Sequence, residues 1–140
     1  MELIIFVGIA GSGKTTFAAK SYPNHVRISL DDIGQHKKNK RKIEETLIKQ
    51  ALATDKNVII DDTNLTKSIR SKHIMLGKKH GAEIKVIFFN FDIYRIQLQN
   101  KRDEQPLEPY VLFKMKKNLE IPSKEEGFDF IQILDKTISF

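Results

Sequence analysis

The chain has 140 residues, with 24 Lys or Arg against 18 Asp or Glu, no cysteine and a formal net charge of +6. That length is one domain, and a composition 40% hydrophobic and 30% charged supports a core, so disorder and membrane spanning are excluded, as are a disulfide scaffold, a thiolate metal site and a cysteine nucleophile. The charge is uneven, 19 basic against 10 acidic residues over 1–102 and 5 against 8 over 103–140, and such a field suits a polyanionic ligand as well as it suits solubility.

The first apolar run, Leu3 to Val7, is strand length and far short of the roughly 20 residues that cross a bilayer. No basic leader precedes it, so the expectation is a buried strand in a cytoplasmic protein. Directly after it, Gly8-Ile9-Ala10-Gly11-Ser12-Gly13-Lys14-Thr15 matches G-x-x-x-x-G-K-[ST], and the helix-compatible stretch Thr16 to Lys20 follows. This is a Walker A loop. Gly8, Gly11 and Gly13 let the backbone curl so that the amides of Ser12 to Thr16 face phosphate oxygens, and the next helix aims its positive end at the same anion. Lys14 reaches the β and γ phosphates of ATP, and the Thr15 hydroxyl ligates Mg²⁺.

A second strand is expected at Val26–Ile28, followed by Ser29-Leu30-Asp31-Asp32, and a third at Val58–Ile60, followed by Asp61-Asp62-Thr63-Asn64. Ligands of open α/β sheets bind beyond the carboxyl ends of the strands, so both acidic clusters fall beside the phosphate loop. One carboxylate there would take a proton from an acceptor hydroxyl. Taken singly, Asp31 and Asp32 also suit a helix cap and Asp62 and Asn64 an Asx turn. Between the clusters, Lys37, Lys38, Lys40, Arg41 and Lys42 stand where a helix begins, ahead of an apolar stripe at Ile43, Leu47 and Ala51. Cations there oppose the helix dipole but could bind backbone phosphates.

Lys67 to His80 carries Lys78 and Lys79 in its last turn and Gly81 after it, which ends a helix. A fourth strand at Ile84–Phe89, a helical stripe at Leu112, Met115 and Leu119, and a fifth strand at Phe130–Leu134 complete the chain. Alternating strands and helices imply a mainly parallel, five-stranded sheet with helices on both faces, in a single domain over residues 1–140. The four histidines are scattered and form no metal motif, and His73 is spaced from Ile69 and Leu76 as a packed residue would be. Two GTPase-like matches, Asp31-Asp32-Ile33-Gly34 and Asn100-Lys101-Arg102-Asp103, have the wrong context. Only residues 16–30 lie between Thr15 and Asp31, too few for a switch segment, and Asn100 follows a polar helical stretch rather than a strand.

With the Walker A loop, Asp31-Asp32, Asp62-Thr63-Asn64-Leu65, Arg70 and Asn90-Phe91-Asp92 in order, the chain resembles the P-loop kinases related to polynucleotide 5′-hydroxyl kinase. The resemblance covers most of the chain and extends to Leu119–Asp129. It implies a P-loop NTPase fold with strand one between strands three and four, and a short lid at about residues 95–109. It also implies transfer of the ATP γ-phosphate to a hydroxyl, the 5′ end of DNA or RNA foremost, with Asp31 as general base. Asp32, Asp62, Asn64 and Arg70 would then belong to the acceptor side, and Arg102, or else Arg95, would be the lid arginine. Where polynucleotide kinases carry an arginine after the paired aspartates, this sequence has Gly34. The basic residues Lys37, Lys38, Lys40 and Arg41 are the candidates to replace it. A small-molecule hydroxyl as acceptor and a non-catalytic ATP-binding module are the alternatives.

Overall fold

The computed structural model describes residues 1–34, 38–102 and 106–135. Among them, β1 (Glu2–Val7), β2 (Val26–Ile28), β3 (Val58–Ile60), β4 (Glu83–Phe89) and β5 (Phe130–Leu134) form one sheet in the order β2-β3-β1-β4-β5. Every pairing is parallel. Parallel neighbours need crossover connections, and helices supply them: α1 (Lys14–Ser21), α2 (Leu30–Ile33), α3 (Lys40–Ala53), α4 (Lys67–Lys79), α5 (Ile93–Lys101) and α6 (Pro109–Asn118). A 3-10 turn at Lys124–Glu126 leads into β5. Strand β1 lies between β3 and β4, as the resemblance implies.

Alternate residues of a strand face opposite sides of the sheet, and both sides of β1 are covered. Leu3, Ile5 and Val7 join Val58, Ile60, Ile84, Val86 and Phe88 under Ile48 and Leu52 of α3 and Ile74 and Leu76 of α4. Ile4 and Phe6 join Ile59, Ile87 and Phe89 under Ala18 of α1, Ile96 of α5 and Leu112 of α6. This two-sided burial is why the central strands are unbroken apolar runs. Edge strand β5 leaves Phe130 and Ile133 exposed. No helix among the described residues is long and apolar enough to cross a membrane.

Two packing details fix how α4 lies on the sheet, one at each end of the helix. At Gly77 helix α4 lies so close to the sheet that an added Cβ would stand 2.4 Å from Ile84 Cδ1 and 2.8 Å from Leu3 Cδ2. At the other end of α4, Arg70 is fully buried and donates to both carboxylate oxygens of Glu126, at 2.8 and 3.0 Å, and to the carbonyls of Asn64 and Leu65. Glu126 also accepts from the Ser123 amide in a capping box. One buried ion pair therefore ties the loop after β3 to the segment before β5.

Candidate active site

The loop after β1 closes over the carboxyl end of the central strand. Gly11 and Gly13 take the left-handed backbone, φ 84° and 83°, which costs glycine little, and Gly13 is the N-cap of α1. The Gly8 amide donates to the Thr63 carbonyl at 3.1 Å, locking the loop to the segment after β3. Ser12 Oγ donates to the Ile9 carbonyl at 2.6 Å. Lys14 Nζ donates to the carbonyls of Gly8 and Ile9 at 3.0 and 2.9 Å, so in this state the ammonium is held by the loop itself. Burial lowers Lys14 to about pKa 8, against the opposing pull of Asp61, Asp62 and Asp31. Thr16 is exposed at the start of α1.

Strands β2 and β3 bring a compact charged network to this loop. Asp61 Oδ2 accepts from Thr15 Oγ1 at 2.8 Å and from Arg27 Nε at 2.7 Å. Arg27 continues to Asp32 Oδ2 at 2.6 Å and to Thr15 Oγ1 at 3.3 Å. A hydroxyl and a carboxylate side by side at the phosphate loop are the hard oxygen donors that Mg²⁺ takes, so Thr15 and Asp61 fit that ion. Arg27 was not singled out in the sequence, because a lone arginine in the short strand Val26-Arg27-Ile28 gives no motif. Asp61 was visible in its cluster but had no role assigned. The neighbouring register of β2 and β3 is what puts the two together.

The paired aspartates separate in role. Helix α2 is capped by Ser29, whose Oγ accepts from the Asp31 amide at 3.2 Å, so neither aspartate is needed as the cap. Asp32 is taken by Arg27, whereas among the described residues no side chain hydrogen-bonds the Asp31 carboxylate, which is exposed near Lys14. Asp62 Oδ1 accepts from the Leu30 amide at 2.8 Å. It thereby anchors the start of α2, and with it Asp31, to the end of β3.

Asn64 and Arg70 are placed differently from the acceptor contacts the resemblance implies. Asn64 is buried with φ 45°, and its Nδ2 donates to the Phe6 carbonyl at 2.8 Å. Arg70 is spent on Glu126 and two carbonyls, so both shape the loop after β3 instead of lining an open surface. Lys38 and Arg41 are exposed and Lys40 half-buried at the start of α3, whose first turn holds no acidic residue; Lys37 lies outside the described residues.

Of the expected lid at about residues 95–109, residues 95–101 belong to helix α5 and Pro109 opens α6, while residues 103–105 lie outside the described residues. Asn100 clasps Leu107, its Nδ2 donating to the carbonyl at 2.7 Å and its Oδ1 accepting from the amide at 3.0 Å. That role, inside a helix, also removes the GTPase-like match. Ile96 Cγ2 stands 3.3 Å from where a Gly11 Cβ would be, so α5 packs directly on the phosphate loop. Arg95 sits 5.6 Å from the centroid of the Phe91 ring, and Arg102 is exposed at the C-cap of α5.

A cavity of about 580 Å³ opens between α3 and α4 rather than over the phosphate loop. Near it three buried groups converge that the sequence did not connect, because they come from three elements: Glu44 of α3, Asp62 after β3 and His73 of α4. Burial, with the negative charge of Asp62 close by, raises Glu44 to about pKa 9. Burial also lowers His73 to about 4, so His73 is packed, as its spacing suggests, and neutral.

The sequence profile of the AAA domain family matches residues 3–120. The chain belongs to that family. This AAA domain has TM-scores of 0.74 to Kti12 of Chaetomium thermophilum in complex with ADP-AlF3 (19% identity, 96% of this chain and 89% of that one) and 0.66 to a gluconokinase from Sinorhizobium meliloti 1021 (18%, 99% and 84%). Against a fungal RNA kinase the value is 0.63 (21%, 95% and 74%). At such identities the likeness is one of fold, and the fold of this AAA domain is the kinase-like P-loop fold.

Proposed function

We propose that this AAA domain is an ATP-dependent kinase that phosphorylates a hydroxyl, most of all the 5′-hydroxyl end of DNA or RNA. The observation that carries the reading is the Asp31 carboxylate beside Lys14, without a side-chain hydrogen bond among the described residues, with Thr15 and Asp61 paired at the same edge. Phosphate would draw Lys14 Nζ from the Gly8 and Ile9 carbonyls, while the amides of the loop and of α1 take the remaining oxygens. Thr15 and Asp61 would hold Mg²⁺, which supplies charge neutralisation on the phosphates. Arg27 restrains Asp61 and occupies Asp32, leaving Asp31 to act alone.

Asp31 accepts the proton of the acceptor hydroxyl as that oxygen bonds to the γ-phosphorus, and the bond to the β,γ-bridging oxygen breaks to release ADP. Helix α5, packed on Gly11, carries Arg95 and ends at Arg102, either of which would steady the phosphoryl group. The basic start of α3, with Lys38, Lys40, Arg41 and Lys42 following the Asp31 segment, supports a polyanionic acceptor. The kinase-like fold is shared with proteins described as a gluconokinase and an RNA kinase, and the acceptor therefore has to be read by experiment.

The test offers γ-labelled ATP and Mg²⁺ with 5′-hydroxyl DNA and RNA oligonucleotides, nucleosides and small sugars in parallel. Label on oligonucleotides, absent with Lys14→Ala, is the expected result. Label on small acceptors alone would keep the kinase and overturn the polynucleotide acceptor; no label on any, with ATP still bound, would overturn the kinase.

A further inference from the structure

Glu44, Asp62 and His73 are each at least nine-tenths buried. Among the described residues, Glu44 Oε2, Asp62 Oδ2 and His73 Nε2 have no hydrogen-bond partner. One donor atom from each residue lies within 4.8 Å of the others, and His73 Nε2 is 3.8 Å from Glu44 Oε1. Buried polar atoms without partners are costly and rare, and each calls for an explanation. Three converging on one point, two of them carboxylate oxygens and one an imidazole nitrogen, have a common one.

We propose that Glu44, Asp62 and His73 form a binding site for a divalent first-row transition ion, of the Zn²⁺ class, between α3 and α4 and separate from the Mg²⁺ position at Thr15 and Asp61. Two carboxylates and one neutral imidazole make a donor set of the kind Zn²⁺ takes with three protein ligands and a fourth open position. Donors around tetrahedral Zn²⁺ lie about 3.4 Å apart, so the ion draws these atoms inward by side-chain rotation. Two negative charges balance the ion.

The cavity between α3 and α4 reaches Glu44 and His73 and gives both an entry path and room for the fourth ligand. Arg41, Lys42, Lys49, Lys72 and Lys79 line its walls, and Arg41 Nη1 is 3.7 Å from Glu44 Oε1. That rim slows a free cation but favours an anion or hydroxide as the fourth ligand. Asp62 also holds the Leu30 amide, so a filled site stiffens the start of α2.

The experiment titrates the full chain, without nucleotide, with Zn²⁺ alone at neutral pH. It follows the histidine ring nitrogens by NMR and binding by calorimetry. One equivalent should shift His73 Nε2 and leave His25 and His80 unmoved. Outer-shell changes alone cost roughly 10–100-fold in metal affinity, so Glu44→Gln and His73→Gln should each weaken binding at least tenfold, while Thr15→Ala should not. No shift at His73 in the wild-type chain would overturn the site, whether or not the variants fold. Equal binding by wild type and a folded His73→Gln would overturn it too. With no nucleotide present, failure here leaves the kinase reading untouched.

Discussion

Asp31 and Asp32 are chemically identical neighbours, and only their partners distinguish them. Asp32 restrains Arg27, which in turn holds Asp61, so Asp32→Asn should loosen that chain and raise the Mg²⁺ concentration needed for half-maximal activity more than it lowers turnover at saturating Mg²⁺. A kcat loss as large as that of a base deletion, with unchanged Mg²⁺ dependence, would transfer the base role to Asp32. Lys14 gives a pH prediction with a definite sign. Burial holds it near pKa 8 in the free protein, and bound phosphate, being anionic, raises that value. Binding therefore takes up protons above about pH 8, and ATP affinity falls as the pH rises through that region. Calorimetry in buffers of different ionisation enthalpy reads the uptake directly; proton release would contradict it.

The residues of the phosphate loop were legible at this scale because their fixed spacing has one chemical meaning, and the acidic clusters because they follow strands whose carboxyl ends adjoin that loop. Arg27 and Glu44 were not, since Asp61, which Arg27 holds, and Asp62 and His73, which Glu44 meets, are far off in sequence; His73 was legible as a packed residue but not as their neighbour. Asn64 and Arg70 were legible as motif members but not in role. Whether a side chain faces the acceptor or the interior depends on packing against Phe6 and Glu126, which no short pattern encodes.

The elements follow from periodicity with little residue-level help. Unbroken apolar runs mark β1, β3 and β4 because helices cover both faces, and the end of α4 follows from Lys78, Lys79 and Gly81. What periodicity cannot give is how closely elements approach. Arg70 and Glu126 join α4 to the turn before β5 as a buried pair, with side chains 0% and 7% exposed, and Glu126→Ala would strand the Arg70 charge. Breaking such pairs costs roughly 3–5 kcal/mol, a loss that denaturant unfolding would measure; a change below about 1 kcal/mol would mean that the pair is weakly coupled to folding. The start of α3 carries the opposite kind of test. Replacing Lys38, Lys40, Arg41 and Lys42 with neutral residues removes charges that oppose the helix dipole, so stability should hold or rise. The oligonucleotide KM should rise and its salt dependence flatten. An unchanged KM and salt slope would remove this run from the acceptor site.

Across the whole molecule, the strand order was legible only through the family resemblance, since apolar runs show which segments are strands but not which lie side by side. The observed order centres β1 and brings the ends of β2 and β3 against the phosphate loop on one side, while α5 packs on Gly11 from above. Binding of a nonhydrolysable ATP analogue should therefore slow proteolysis within α5 and α6, and equal cleavage rates with and without it would argue against closure over the nucleotide.

The central claim is that Asp31 takes the acceptor proton while the phosphate loop holds ATP. Single-turnover transfer from γ-labelled ATP to a 5′-hydroxyl oligonucleotide, comparing wild type with Asp31→Asn, tests it most directly. The account predicts a fall in the transfer rate of roughly 10²-fold or more with ATP binding unchanged. Transfer at the wild-type rate by Asp31→Asn would contradict it.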